Sequence, residues 1–74
     1  MKTIFIVGGD GFARECYYFL LEIIKFDKNI KFGGFMGHGG YGKTVNYKTF
    51  QHLYVGEVSE HVFKKDEYVV ISCP

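Results

Sequence analysis

Thr3-Ile4-Phe5-Ile6-Val7-Gly8-Gly9-Asp10-Gly11-Phe12-Ala13-Arg14-Glu15 decides the fold. Its first five residues form a short apolar run stopped by glycine. That pattern predicts a strand buried on both faces, as in a parallel sheet. Beyond the glycines, Phe12, Cys16, Phe19, Leu20, Ile23 and Ile24 recur at helical spacing, while Arg14, Glu15, Tyr18, Glu22 and Lys25 fall on another face. Asp27-Lys28-Asn29 ends this helix with turn-prone polar chemistry.

Working outward, Ile30–Met36 reads as a second strand, loosened by Gly33 and Gly34. Gly37–Gly42 is a glycine-rich loop, and His52–Val55 is a short third strand. Glu57–Lys65 has weak helical character, with Val58, His61 and Val62 on one side. Glu67–Ser72 reads as a fourth strand carrying the buried run Tyr68-Val69-Val70-Ile71. There is no internal repeat or proline-rich linker, and the one proline is Pro74. Parallel strands joined by right-handed crossovers solve this order most simply. The expected fold is α/β: a small Rossmann-like three-layer domain over residues 1–74, with a four-stranded parallel sheet in the order 3-2-1-4. Ligands of such sheets bind beyond the carboxyl ends of the strands, here at the switch point between the first and fourth strands.

Composition narrows the function classes. A chain of 74 residues makes one small domain, which buries only roughly 60% of its unfolded surface. With 47% hydrophobic and 23% charged residues it is too apolar for a disordered tail. The net charge is +1, no basic block is present and Arg14 is the only arginine, which argues against nucleic acid as a partner. Cys16 and Cys73 form no disulfide framework, and a reduced, cytoplasmic setting is expected. The apolar N-terminal run is too short for a signal peptide, and no segment approaches the roughly 20 apolar residues of a membrane span.

The first glycine loop carries the chemistry. A helix N-terminus offers unpaired N–H groups and a partial positive charge, which suit a phosphate. Glycine lets the backbone turn tightly and approach a ligand closely. Against the dinucleotide fingerprint G-x-G-x-x-G/A, Gly8 and Ala13 fill the first and third positions, and Asp10 occupies the second. Asp10 either turns away from a diphosphate or caps the helix. The purely structural reading of the loop is a tight strand-to-helix turn. The end of the second strand, Phe35-Met36-Gly37-His38, lacks the acid that holds a ribose, which disfavours ordinary NAD binding. The second loop, Gly37-His38-Gly39-Gly40-Tyr41-Gly42-Lys43-Thr44, matches G-x-x-x-x-G-K-[ST]. A P-loop must open into a helix, whereas Thr44-Val45-Asn46-Tyr47 is β-branched and turn-like. Among six glycines in residues 33–42 the match reads as coincidence.

Taken together, these segments resemble the N-terminal domain of bacterial sugar O- and N-acyltransferases of the sialic-acid O-acetyltransferase type. That family opens with a strand followed by G-A-G-G-F-G-R-E or G-x-G-G-H-A-R, and here the segment is Gly8-Gly9-Asp10-Gly11-Phe12-Ala13-Arg14-Glu15. Gly34-Phe35-Met36-Gly37-His38 stands where the family has G-F-I-D-D. Gly42-Lys43-Thr44-Val45-Asn46 and Tyr54-Val55-Gly56 resemble its later G-K-x-[IV]-x-G and P-V-L-G pieces, and Tyr68–Ser72 its V-V-I-A strand. The chain departs from the family at Asp10, in place of a small residue, and at Gly37-His38, in place of an acidic pair.

The resemblance implies a domain that holds the nucleotide part of a UDP- or CMP-type nucleotide-sugar, through Gly8, Gly9, Asp10, Gly11, Phe12, Ala13, Arg14, Met36, Gly37 and His38. It implies that catalysis lies elsewhere: a C-terminal left-handed β-helix of hexapeptide repeats, absent here, would carry acetyl-CoA, a histidine base and the trimer contacts. The parent enzyme would acetylate a sugar in surface-glycan biosynthesis. This chain would itself hold no cofactor, catalytic residue or metal. The alternatives are an NAD(P)-binding fragment of an oxidoreductase and a non-catalytic interaction module that kept the fold.

The remaining single residues read mainly as structural. His38 is first a solvated loop histidine and second a ligand group. His52 and His61 have no partner at metal-ligand spacing. Cys16 is a small core residue rather than a nucleophile. Arg14 either reaches a phosphate or pairs with an acid such as Glu22. Tyr17, Phe19, Phe32 and Phe35 are expected in the core rather than as a stacking platform.

Overall fold

The structure is a computed structural model and describes residues 1–8, 11–37 and 53–71. The apolar opening run becomes β1 (Lys2–Val7), which lies inside the sheet. It pairs in parallel with β2 (Ile30–Gly37) on one side and with β4 (Glu67–Ile71) on the other. β3 (Tyr54–Glu57) adds in parallel to the outer side of β2. The order is β3-β2-β1-β4, the expected 3-2-1-4 topology of a small α/β domain. β3 starts two residues later than expected, and His52 lies outside the described residues.

Alternation along β1 divides the core in two. Ile4 and Ile6 face α1 (Gly11–Phe26), and Phe5 and Val7 face the opposite side. The α1 side is centred on Ile6, Ala13, Leu20 and Phe35, with Cys16, Tyr17, Ile24 and Phe32 packed around them. The glycines in β2 set its alignment. Ile4 pairs with Phe32, but Phe5 pairs with Gly34, so one extra residue bulges out. Three residues apart, Phe32 and Phe35 would point to opposite faces of a regular strand. The bulge puts both under α1, with ring centroids 5.1 Å apart and Tyr17 at 4.8 and 5.4 Å. Gly33 lies beneath Phe5, where a Cβ would come within 2.5 Å of the ring.

The helix stripe is narrower than its spacing predicts. Ala13 and Leu20 are buried and Cys16 and Ile24 half-buried, but Phe12, Ile23 and Phe19 are exposed, Phe19 by 74%. Tyr17, Phe32 and Phe35 do join the core, and Phe19 does not. The helix lies over β1 and β2, so residues aimed toward β4 find only the edge of the sheet. α1 stops at Phe26, where the Asp27 carboxylate accepts the Asn29 N–H at 2.9 Å and turns the chain into β2.

Two expectations fail on the far side. The helix over residues 57–65 does not form; a 3-10 turn at Val58–Glu60 takes its place, closed by the His61 N–H to the Val58 carbonyl at 3.3 Å. Its apolar positions are β-branched and too few for a helical stripe. Val58 packs on Phe5, Val7 and Met36, and the His61 and Phe63 rings sit 4.9 and 5.9 Å from Phe5. The third layer is therefore a turn and two rings, among the described residues. The run 68–71 is also exposed rather than buried, because β4 is an edge strand and no described element covers it. Among the described residues, no helix is long and apolar enough to cross a membrane.

β4 is tied at its start. The Glu67 carboxylate accepts the Lys64 N–H at 2.9 Å and pairs with His61 Nε2 at 2.9 Å. The Lys64 N–H first, and the His61 side chain second, hold its carboxyl below the ordinary range, against a smaller opposing desolvation. A depressed folded-state value contributes stability above the unfolded value, and that stability is lost as pH falls through the folded one. Glu67→Gln is therefore expected to lower the melting temperature at neutral pH and to match the parent at strongly acid pH. Melting curves of both proteins across that range check it; a constant difference down to the acid limit would contradict it.

Candidate functional site

Four parallel strands end on one edge, and glycine stands at the ends of the two inner ones. β1 runs out at Val7 into Gly8, β2 ends at Gly37 and β3 at Glu57. Gly8 has φ 140°, a conformation that L side chains rarely adopt, and its N–H donates to the Met36 carbonyl at 3.1 Å. The chain leaves β1 at that residue and enters α1 at Gly11, three residues on from the carboxyl end of the strand. The first turn of α1 contains no acidic residue. No carboxylate within the helix offsets the partial positive charge of that turn.

The expected site residues divide by role. Gly8 follows β1 and Gly11 opens α1; Gly9 and Asp10 between them lie outside the described residues. Ala13 is fully buried in the α1-side core, where its small side chain lets the helix sit close to the sheet. Phe12 and Arg14 are exposed on the first turn, beside the edge. Arg14 makes no ion pair among the described residues, and Glu22 pairs instead with Lys25 at 3.0 Å. Met36 does not present its side chain to a ligand. It is buried on the face opposite α1, against Phe5 and Val7. Gly37 is buried at the strand end, paired with Glu57. His38 and the remainder of the second glycine loop, as well as Cys73, lie outside the described residues.

Glu57 is the residue that sequence reasoning missed. The sequence pattern groups it with the weak helix that follows, whereas it is the last residue of β3. It is the buried charged residue among those described, 9% exposed. Its carboxylate accepts the Tyr54 hydroxyl at 2.8 Å. Burial first, then the hydrogen bond to Glu57 and the charges of Glu57 and Glu60, raise the Tyr54 phenol above its ordinary value. The signal available in the sequence was an acid directly after a short strand, a place where open α/β sheets bind ligands.

Fold and edge together define a small parallel α/β domain in which Gly8 follows the inner strand β1 and α1 begins at Gly11. Comparison with protein-family models, curated proteins and solved structures finds no match.

Proposed function

We propose that the chain is the nucleotide-sugar-binding unit of a sugar acetyltransferase, holding the diphosphate of a UDP- or CMP-type sugar on the turn at residues 8–13. The observation that carries this reading is the junction itself. Gly8 turns the chain at the end of an inner parallel strand, and α1 begins three residues later without a carboxylate in its first turn. That is an anion-binding arrangement at the ligand edge of the fold. The loop's resemblance to the acyltransferase family narrows the anion to a nucleotide-sugar. In this reading acetyl-CoA and the base that deprotonates the acceptor belong to a separate domain, and this unit contributes position.

The affinity expected of the unit is weak, roughly millimolar, because one loop supplies few contacts against the entropy lost on binding. Titrating labelled protein with UDP, CMP and NADH, read on backbone amide signals, tests it. UDP or CMP is expected to move Gly8, Gly11 and Phe12 together, with NADH giving smaller shifts. Larger shifts with NADH would favour a dinucleotide fragment of an oxidoreductase. No response to any of the three would favour an interaction module.

A further inference from the structure

We infer that β4 is a dimer edge: two copies of this chain pair β4 with β4, antiparallel about a twofold axis, and join their four-stranded sheets into one. The inference does not depend on the ligand proposed above. The two edges of the sheet are built differently. β3 has four residues and its ladder with β2 shifts register, features that blunt a sheet edge. β4 has five, and its ladder with β1 runs without a shift from Thr3–Glu67 to Val7–Ile71. Tyr68-Val69-Val70-Ile71 carries no charge and no proline, and all four residues are exposed. An edge of that kind is a ready template for another strand.

The apolar surface continues from the edge onto α1. Tyr68 and Val70 pair with Ile4 and Ile6 and share their face, beneath the helix. There Val70 lines a groove with Ile4, Ile6, Cys16, Phe19 and Ile23. Val69 and Ile71 pair with Phe5 and Val7 and lie on the opposite face. Phe19, Ile23 and the four β4 residues are between 37% and 74% exposed. At about 150–250 Å² for each whole residue, they leave roughly 600 Å² of surface per copy. Covering it on both copies buries about 1,200 Å², which reaches the range of specific interfaces.

A second copy fits this face because the strand complements its own reverse. Paired antiparallel about Val69, all five residues of β4 are matched: Val69 with Val69, Tyr68 with Val70, and Glu67 with Ile71. No charge then meets a like charge. Glu67 falls opposite an isoleucine, and its carboxylate is already held by the Lys64 N–H and by His61. A parallel partner in register would set Glu67 beside Glu67. The antiparallel register keeps each face continuous, so both α1 helices lie on one side of the joined sheet. Phe19 and Ile23 of each copy then flank a shared trough above the paired strands. The contact is isologous and closed, so assembly stops at two. The two carboxyl edges point in opposite directions, and each copy keeps its own ligand edge.

The test is sedimentation velocity on the 74-residue chain. Between about 10 µM and 1 mM it is expected to pass reversibly from monomer to dimer, with Kd on the order of 10–100 µM. The amide signals of residues 68–71 are expected to move over the same range. Val69→Lys sets two ammonium groups opposite one another on the axis and is expected to raise Kd by at least about tenfold. Phe19→Ala removes an apolar ring from each copy and is expected to raise Kd roughly tenfold. Circular dichroism checks that both variants fold. If Val69→Lys does not, Phe19→Ala carries the test, because Phe19 is exposed and lies outside the core. A chain that stays monomeric at the highest concentration overturns the inference and gives this face to another domain or partner. So does a dimer that the deciding variant weakens by less than about threefold, which must form elsewhere, or a species that grows beyond two copies.

Discussion

Phe35→Ala is expected to remove about 3–5 kcal/mol of stability, the usual cost of emptying a buried phenylalanine site. A domain of 74 residues holds in total only about 4–11 kcal/mol at ordinary values per residue. The variant should therefore lose a large part of its stability, seen as a much lower denaturation midpoint by near-ultraviolet circular dichroism. Phe35 is fully buried, and its ring closes the triangle with Tyr17 and Phe32. Its loss also removes the packing that α1 and β2 share, so the helix would lose its seat on the sheet. Phe35→Leu keeps most of the volume and is expected to cost about 1.5 kcal/mol or less. Phe19→Ala is the contrasting control, because Phe19 is 74% exposed. Its effect should stay within about 0.5 kcal/mol. Equal unfolding midpoints for Phe35→Ala and Phe19→Ala would show that the α1-side core is not built around Phe35.

That pair of phenylalanines also shows which parts of the fold were legible. Residues 3–7 could be read because an apolar run stopped by glycine has few solutions, and β1 is indeed buried on both faces. The strand order followed from connection rules, which do not depend on fine packing. Phe19 was misplaced because helical periodicity identifies a stripe but not the width of the sheet beneath it. The buried reading of 68–71 failed for a related reason. An apolar strand looks the same in sequence whether it lies inside the sheet or at its edge. Glu57 was hidden by the bulge at Val55, which brings Tyr54 and Glu57 to one face against the normal alternation. The phosphate turn was visible as a motif, but a motif specifies a backbone shape and not the molecule placed against it.

Gly34→Ala is expected to cost about 2–5 kcal/mol, as two separable contributions. The first is conformational: Gly34 has φ 134°, and an L side chain held in such a region costs on the order of 1–2 kcal/mol. The second is steric. A Cβ at Gly34 would stand 2.5 Å from Val55 Cγ1 and 2.8 Å from the Leu53 carbonyl oxygen. The valine methyl has some freedom to turn, but the carbonyl belongs to the backbone entering β3 and moves only if that strand moves. Overpacking of this kind costs about 1–3 kcal/mol. Gly56→Ala isolates the first contribution, since Gly56 has φ 125° but its Cβ would meet nothing within 4 Å among the described residues. Denaturation midpoints should therefore fall further for Gly34→Ala than for Gly56→Ala, and adding Val55→Ala to the former should restore only part of the gap. Because β3 bears Tyr54 and Glu57, the gap measures how firmly that strand is seated against β2, and with it how well the buried carboxylate is positioned. Two variants of equal stability would mean that β3 yields freely at the Leu53 carbonyl.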